Sequence, residues 1–264
     1  MQVYRKTLKS HTFNEDRFAV SSTLFAVIDG ATDLSDSPSY HTRSHASMLA
    51  ERVKKGLLSL SKGDVVGFLY DLSRKLYNDT PRLLASCGIA VARIKDGFLE
   101  IFGLGDCEIV YKKKSGEIIR FKQTALSVLD KKAIDELVTI AKENDLTVAE
   151  AKPLIIPTLR KHRALMNTDG GYDVFAPMQT PNFTVLTDKI KLDELCSVYI
   201  MTDGFAQAFT TLNILPSYTN LFDDGVTIDG VIEQIKKVSF ADETLSAYPR
   251  FKIIDDITAI KIDF

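Results

Sequence analysis

The arrangement of apolar and polar positions divides this chain into blocks of two different periods. Residues 2–29 alternate in short β-favouring runs, Arg17-Phe18-Ala19-Val20-Ser21 and then Leu24-Phe25-Ala26-Val27-Ile28. The second run is apolar throughout, which predicts a strand buried on both faces. Over residues 42–60 the period lengthens: Met48, Leu49, Val53, Leu57 and Leu60 recur at helical spacing, and Asp64 is placed to cap a second helix carrying Val65, Phe68, Leu69, Leu72 and Leu76. Strand signals return at 85–94, 98–104, 108–112 and 117–121, with turn chemistry at Lys95-Asp96-Gly97, Gly105-Asp106 and Lys114-Ser115-Gly116 between them. This predicts an antiparallel meander. Helical spacing resumes over 128–163 with Thr147 as an N-cap, a buried strand is expected at 198–202, a helix near 228–238, and an alternating strand closes the chain at 257–262. Strands and helices in separated blocks, with no repeat and no linker able to divide domains, give an α+β class in one domain over residues 1–264.

Composition adds exclusions. The 264 residues carry 33 Lys+Arg against 35 Asp+Glu, a formal charge of −2. So even a balance argues against coating nucleic acid or clinging to an anionic membrane. Two basic runs are read as ordinary surface, Lys112-Lys113-Lys114 as a solvated hairpin tip and 160–163 as complementing the negative end of a helix. Cys87, Cys107 and Cys196 are odd in number and lack any C-x-x-C spacing, so they are read as core thiols of a reducing compartment. The start lacks the apolar core of a secretory signal, and no run approaches the roughly 18 apolar residues of a membrane span. The expected location is cytoplasmic.

The informative residues are acids. Leu24 to Gly30 and Val198 to Gly204 share one design, in which an apolar strand delivers an aspartate at its end, Asp29 or Asp203, and a glycine follows at once. Asp255-Asp256 precedes the last strand, and Asn14-Glu15-Asp16-Arg17 precedes an early one. If these ends converge, like charges lie a few ångströms apart and cannot all ionise without a cation. No cluster of His or Cys points to zinc or copper, and hard oxygen donors favour Mg²⁺ or Mn²⁺. Paired ions of this kind suit hydrolysis of a phosphate ester.

Taken in order, Asn14-Glu15-Asp16-Arg17, Ile28-Asp29-Gly30, Gly103-Leu104-Gly105-Asp106, Thr202-Asp203-Gly204 and Asp255-Asp256-Ile257-Thr258 resemble the motifs of the metal-dependent protein phosphatases, the type 2C family. The resemblance spans almost the whole chain. It implies a central β-sandwich of two antiparallel sheets with helices outside each, and two Mn²⁺ or Mg²⁺ ions in a cleft at one end. Asp29 would bridge the ions, the Gly30 carbonyl would bind one, and Asp203 and Asp255 the other. Glu15 would hold a water on the metals, Asp16 would support the site by hydrogen bonds, Asp256 would help the turn, and Asp106 would shape a hairpin. The implied activity is hydrolysis of phosphoserine or phosphothreonine in proteins, opposed by a Ser/Thr kinase. The long insert at about 126–195 falls where the family has its variable flap.

Three departures qualify this. His11 stands where many members carry a phosphate-clamping arginine, which an uncharged imidazole cannot replace, so His11 itself, Arg17 or Arg43 is the candidate phosphate contact. Ala31 stands where a histidine or methionine is usual, with His41 and His45 as nearby alternatives. Thr124, Ser127 and Asp130 offer no clear equivalent of the acid for an additional metal, and no third ion is expected. His11 and Ala31 keep open an inactive, phosphoprotein-binding relative, and a phosphatase for small metabolites is the remaining alternative.

Overall fold

The computed structural model describes residues 1–10, 12–32, 44–60, 63–80 and 83–264, Thr32 by its backbone alone. His11, His41 and Arg43 lie outside the described residues. Ten strands form two five-stranded antiparallel sheets. One is built from β1 (Gln2–Leu8), β6 (Glu108–Lys113), β7 (Ile118–Phe121), β9 (Leu195–Met201) and β10 (Ile257–Asp263), in the order β1-β10-β9-β6-β7. The other contains β2 (Arg17–Val20), β3 (Leu24–Thr32), β4 (Ala85–Lys95), β5 (Phe98–Leu104) and β8 (Leu186–Lys191), in the order β2-β3-β4-β5-β8.

Strand periodicity sorts the apolar residues into layers. In β3, Phe25 and Val27 face the space between the sheets, packing with Ala90, Leu99, Ile101, Ile109, Val198, Ile200, Ile260 and Ile262. Ala26 and Ile28 face outward, under α1 (His45–Ser59) and α2 (Val65–Asp79), whose Leu49, Val53, Leu57 and Leu69 complete that cluster. The other sheet is covered by α5 (Asp203–Thr210) and α6 (Ile228–Ala241) through Tyr199, Met201, Phe205, Ile232 and Ile235. The result is an α-β-β-α sandwich, and each fully buried large aliphatic or aromatic side chain contributes about 1.5–3 kcal/mol. Asp64 caps α2 by accepting from Val66 and Gly67, and Thr147 caps α4 (Val148–Arg163) in a capping box with Glu150.

Several expectations change. The meander is in fact two hairpins in different sheets: β4 pairs with β5, β6 pairs with β7, and the chain crosses between them at Gly105-Asp106. Gly105 has φ +80°, and a Cβ there would stand 2.9 Å from Gly88 Cα, so only glycine makes this crossing without strain. Asp29 does not end its strand: β3 continues to Thr32, with Asp29 opposite Gly88 and Gly30 opposite Cys87. Asp203 opens α5 rather than a turn. Cys196 is exposed, while Cys87 and Cys107 are buried. In the insert, α3 (Ala125–Glu143) and α4 pair over a small core of Leu137, Ala141, Ala151 and Ile155, but its last segment rejoins the sandwich as edge strand β8. The remote helices touch the 242–255 loop through Leu245 and Phe251. No helix among the described residues is long and apolar enough to cross a membrane.

Candidate metal centre

The acids meet at one end of the sandwich, beside a cleft of about 870 Å³ lined by Asp106, Asp203, Asp255, Asp130, Lys122 and Lys252 among others. Asp29 shares the parity of Phe25 and Val27 along β3, so the strand that fills the core also sends this carboxylate into the seam between the sheets. Its carboxyl faces that of Asp203, at the first turn of α5, closely enough that the charge of each bears on the other. Oxygens of Asp29 and Asp106 and the Cys107 sulfur lie within 4.8 Å of one another.

Asp16 is buried and accepts from Thr202 Oγ1 at 2.8 Å; Thr202 Oγ1 in turn accepts the Thr258 N–H at 3.0 Å. The early acidic loop is thereby tied to β10. Asp256 reinforces the tie: Oδ1 accepts from Ser10 N at 2.7 Å and Ser10 Oγ at 2.9 Å, and Oδ2 accepts from Glu15 N at 2.6 Å. Glycine is required at two contacts here. A Cβ on Gly30 would stand 2.7 Å from the Glu15 carbonyl oxygen, and one on Gly204 would stand 1.9 Å from that of Asp256. The Gly30 backbone therefore packs directly against that of Glu15, and the Gly204 backbone against that of Asp256.

Burial and mutual repulsion act together on these carboxyls. Desolvation, followed by the charge of neighbouring aspartates, raises Asp29 well above the usual carboxylate range, and desolvation with Asp255, Asp256 and Asp203 does the same to Asp16. Asp106 is raised by burial, with Lys122 opposing. Asp203 is pushed up to about 7 by burial, then by Asp255 and Asp106. Asp130 on α3 is also raised to about 7, by burial and then by Asp106 and Asp203. Lys252, whose Nζ lies 2.7 Å from Asp255 Oδ1, is raised by Asp255 against the partial desolvation that opposes it. The arrangement concentrates hard oxygen donors where protons or cations must balance them, which is the chemistry of a site for divalent ions.

Asp16, Asp29, Asp203, Asp255 and Asp256 thus converge from four segments. Arg17 does not join them. Its Nε donates to Glu51 at 3.0 Å, Nη1 to the Asn14 and Asp16 carbonyls at 2.7 Å each, and Nη2 to Ser47 Oγ at 2.8 Å. These donors hold the loop on α1, so Arg17, expected as a phosphate contact, is placed here as a clamp, and none of these bonds reaches the acids. His45 starts α1, where its Nδ1 accepts from Leu84 N at 3.2 Å. Asp106 was expected only to shape a hairpin; it stands at the crossing between sheets with its carboxylate among the acids. Asp130 and Lys252 also belong to this neighbourhood. Their signal in the sequence was slight: Asp130 lies on a remote helix, and Lys252 is a single cation three residues before Asp255.

By sequence, the chain matches no protein-family model and no curated protein. Solved structures do match. The serine/threonine phosphatase Stp1 from Staphylococcus aureus superposes with a TM-score of 0.56 at 12% identity, covering 100% of this chain and 94% of Stp1. The Mycobacterium tuberculosis serine/threonine phosphatase PstP gives 0.57 at 13% identity, over 100% and 98%. The PstP catalytic domain in complex with two manganese ions gives 0.55 at 14% identity, over 99% and 97%. From end to end, with its acids gathered at one end of the sandwich, this chain has the fold of the bacterial serine/threonine phosphatases.

Proposed function

We propose that this chain is a metal-dependent phosphatase of the type 2C kind, hydrolysing phosphoserine and phosphothreonine in proteins and acting against a Ser/Thr kinase. The observation that carries the reading is the meeting of Asp29, Asp203 and Asp255, from three distant segments, at one buried seam of a fold shared with such enzymes. Asp29, the Gly30 carbonyl, Asp203 and Asp255, with Glu15 acting through water, would hold two Mn²⁺ or Mg²⁺ ions. When bound, such ions activate a water and neutralise charge on the phosphoryl oxygens.

The chain's own residues prepare that chemistry. Partial burial in the seam limits the contact of the Asp29 and Asp203 carboxyls with water and sets their like charges side by side, so protons held there must leave when a cation arrives. Asp16, fixed by Thr202, stands close by as a further buried carboxyl. Asp256 holds Ser10 and Glu15 in place through their backbone N–H groups, and Arg17 binds the Asn14 and Asp16 carbonyls on either side of Glu15, so the loop carrying Glu15 is held at the cleft. Ala31 offers no proton to a leaving group, so aryl phosphates, whose leaving groups need little protonation, are the favoured assay substrates. The absence of any paired cysteine chemistry accords with a reducing cytoplasm.

The test is turnover of p-nitrophenyl phosphate and of a phosphothreonine peptide with and without Mn²⁺, beside an Asp203→Asn control. Mn²⁺-dependent release of phosphate that the control lacks is expected. No turnover at any divalent concentration, with wild type and control alike, would overturn the reading.

A further inference from the structure

We propose that Lys252 is the side chain that makes the ionic contact to the phosphoryl oxygens of the substrate, a reading that rests on the phosphatase activity proposed above. Its Nζ lies 2.7 Å from Asp255 Oδ1, and the side chain is 41% exposed on the wall of the cleft. It therefore combines two properties that a phosphate contact needs, nearness to the acids and access from solvent.

The other cations lining the cleft lack one or both. Arg120 is committed to the buried Glu108 carboxylate, and Lys122, only 8% exposed, lies 3.6 Å from the same group. Arg250 is buried, bonded to Asp242 at 2.6 Å and to the Tyr248 and Ile253 carbonyls. Lys131 is exposed but pairs with Asp135 along α3. Arg17, as shown, is bound into its loop. Among the described residues, Lys252 is thus the cleft cation placed to meet a ligand at the acids.

The loop also suits an exchange of partners. Arg250 fixes its beginning and Asp256 its end, so the Lys252 backbone is held while four methylenes leave the ammonium free to move. Without divalent ions, the ammonium neutralises part of the charge on Asp255. Once Asp255 is engaged by a divalent ion, that attraction weakens, and the nearest strong anion is the dianionic phosphate of an incoming monoester. The ammonium contacts one phosphoryl oxygen as a point charge, without the two-pronged geometry of an arginine.

The experiment compares wild type, Lys252→Gln and Lys252→Arg, all loaded with Mn²⁺. The expected result for Lys252→Gln is a KM for p-nitrophenyl phosphate and an inhibition constant for inorganic phosphate both raised about tenfold to a hundredfold, the size of one lost charge-assisted contact. Its calorimetric Mn²⁺ affinity should equal or exceed that of wild type, because a competitor for Asp255 has gone, and Lys252→Arg should recover most of the phosphate affinity. Unchanged phosphate constants would overturn the proposal, as would a loss that follows weakened Mn²⁺ binding. Should wild type turn over nothing, the phosphatase reading fails separately, and calorimetry with inorganic phosphate on the Mn²⁺-loaded protein decides about Lys252. Binding lost in Lys252→Gln supports it; binding absent from wild type, or indifferent to the substitution, overturns it.

Discussion

Asp256 Oδ2 accepts the backbone N–H of Glu15 at 2.6 Å, across 241 positions of the chain. With Ser10 N and Oγ on the other oxygen, one nearly buried carboxylate determines where the early acidic loop sits. Asp256→Ala should lower stability by about 3 kcal/mol, since partly buried donors of Ser10 and Glu15 are left without this acceptor, and should weaken Mn²⁺ binding because Glu15 and Asp16 lose their anchor. Asp256→Asn, which keeps one acceptor oxygen, should lose less of both. Urea unfolding and Mn²⁺ calorimetry on the two variants check this ranking.

The two glycines beneath the acids should differ in tolerance. Gly204→Ala drives a Cβ to 1.9 Å from a backbone carbonyl, Gly30→Ala to 2.7 Å from one and 3.0 Å from another. Neither obstacle is a flexible side chain, so the backbone must move. A loss of about 3 kcal/mol is expected for Gly204→Ala, with a smaller loss for Gly30→Ala, and thermal melts give the order directly.

The metal-free protein should become less stable as pH rises from about 4 to about 7. Asp203 and Asp130 are raised to about 7 in the folded chain, whereas an unfolded aspartate titrates near 3.9. The folded state therefore binds more protons in that window, and the stability present at the acid end is lost as the groups are forced to ionise. Asp242, held below its ordinary value chiefly by Arg250, acts in the opposite sense and only at more acid pH. Melts in a chelator between pH 4.5 and 8 should fall with pH; a rise across that range would contradict the electrostatics described.

Divalent ions should reverse that trend. At 100 times its dissociation constant, a ligand bound only by the folded state adds about 2.7 kcal/mol, which corresponds to roughly 5–10 °C in Tm for a chain of this size. Asp203→Asn should lose most of this gain. It should also melt higher than wild type in chelator at pH 8, because one repelling charge has been removed. A scanning fluorimetry series with and without Mn²⁺ tests both halves.

Arg17→Lys separates clamp from contact. Lysine cannot reproduce bonds to Glu51, Ser47 and two carbonyls at once, so Tm should fall, while KM for an aryl phosphate at low temperature should stay within about twofold of wild type. A large rise in KM without loss of stability would return Arg17 to the phosphate.

Much of the fold was legible because its strands and helices bury strict faces: the apolar run 24–28 and the helical rows after Ser44 and Asp64 say what they pack against. Strand β8 was not legible, since Leu186-Thr187-Asp188-Lys189-Ile190-Lys191 lies on an edge and shows water most of its length. Helix α5 was hidden by Gly204, which reads as a turn in sequence and is there to let the Asp256 carbonyl approach. The same ambiguity hid Asp106. Gly105-Asp106 is ordinary hairpin chemistry, and only the pairing of β6 with β9 instead of β5 shows that the chain is changing sheets at that point. The acids of the seam were legible as residues, but their partners depended on contacts that local periodicity does not encode.

Strand β10 lies between β1 and β9, and its register with β1 joins Gln2 to Asp263 and Leu8 to Ile257. Contacts of such sequence separation are entropically late, and proteins dominated by them fold slowly. Before β10 docks, β1 and β9 each present an open edge, a template for pairing with another chain. Docking closes both edges and, through Thr258, Asp255 and Asp256, brings the last acids to Asp16 and Asp203. The step that removes these two open edges is the step that creates the site, so a partly folded chain of this kind is sticky and inert together.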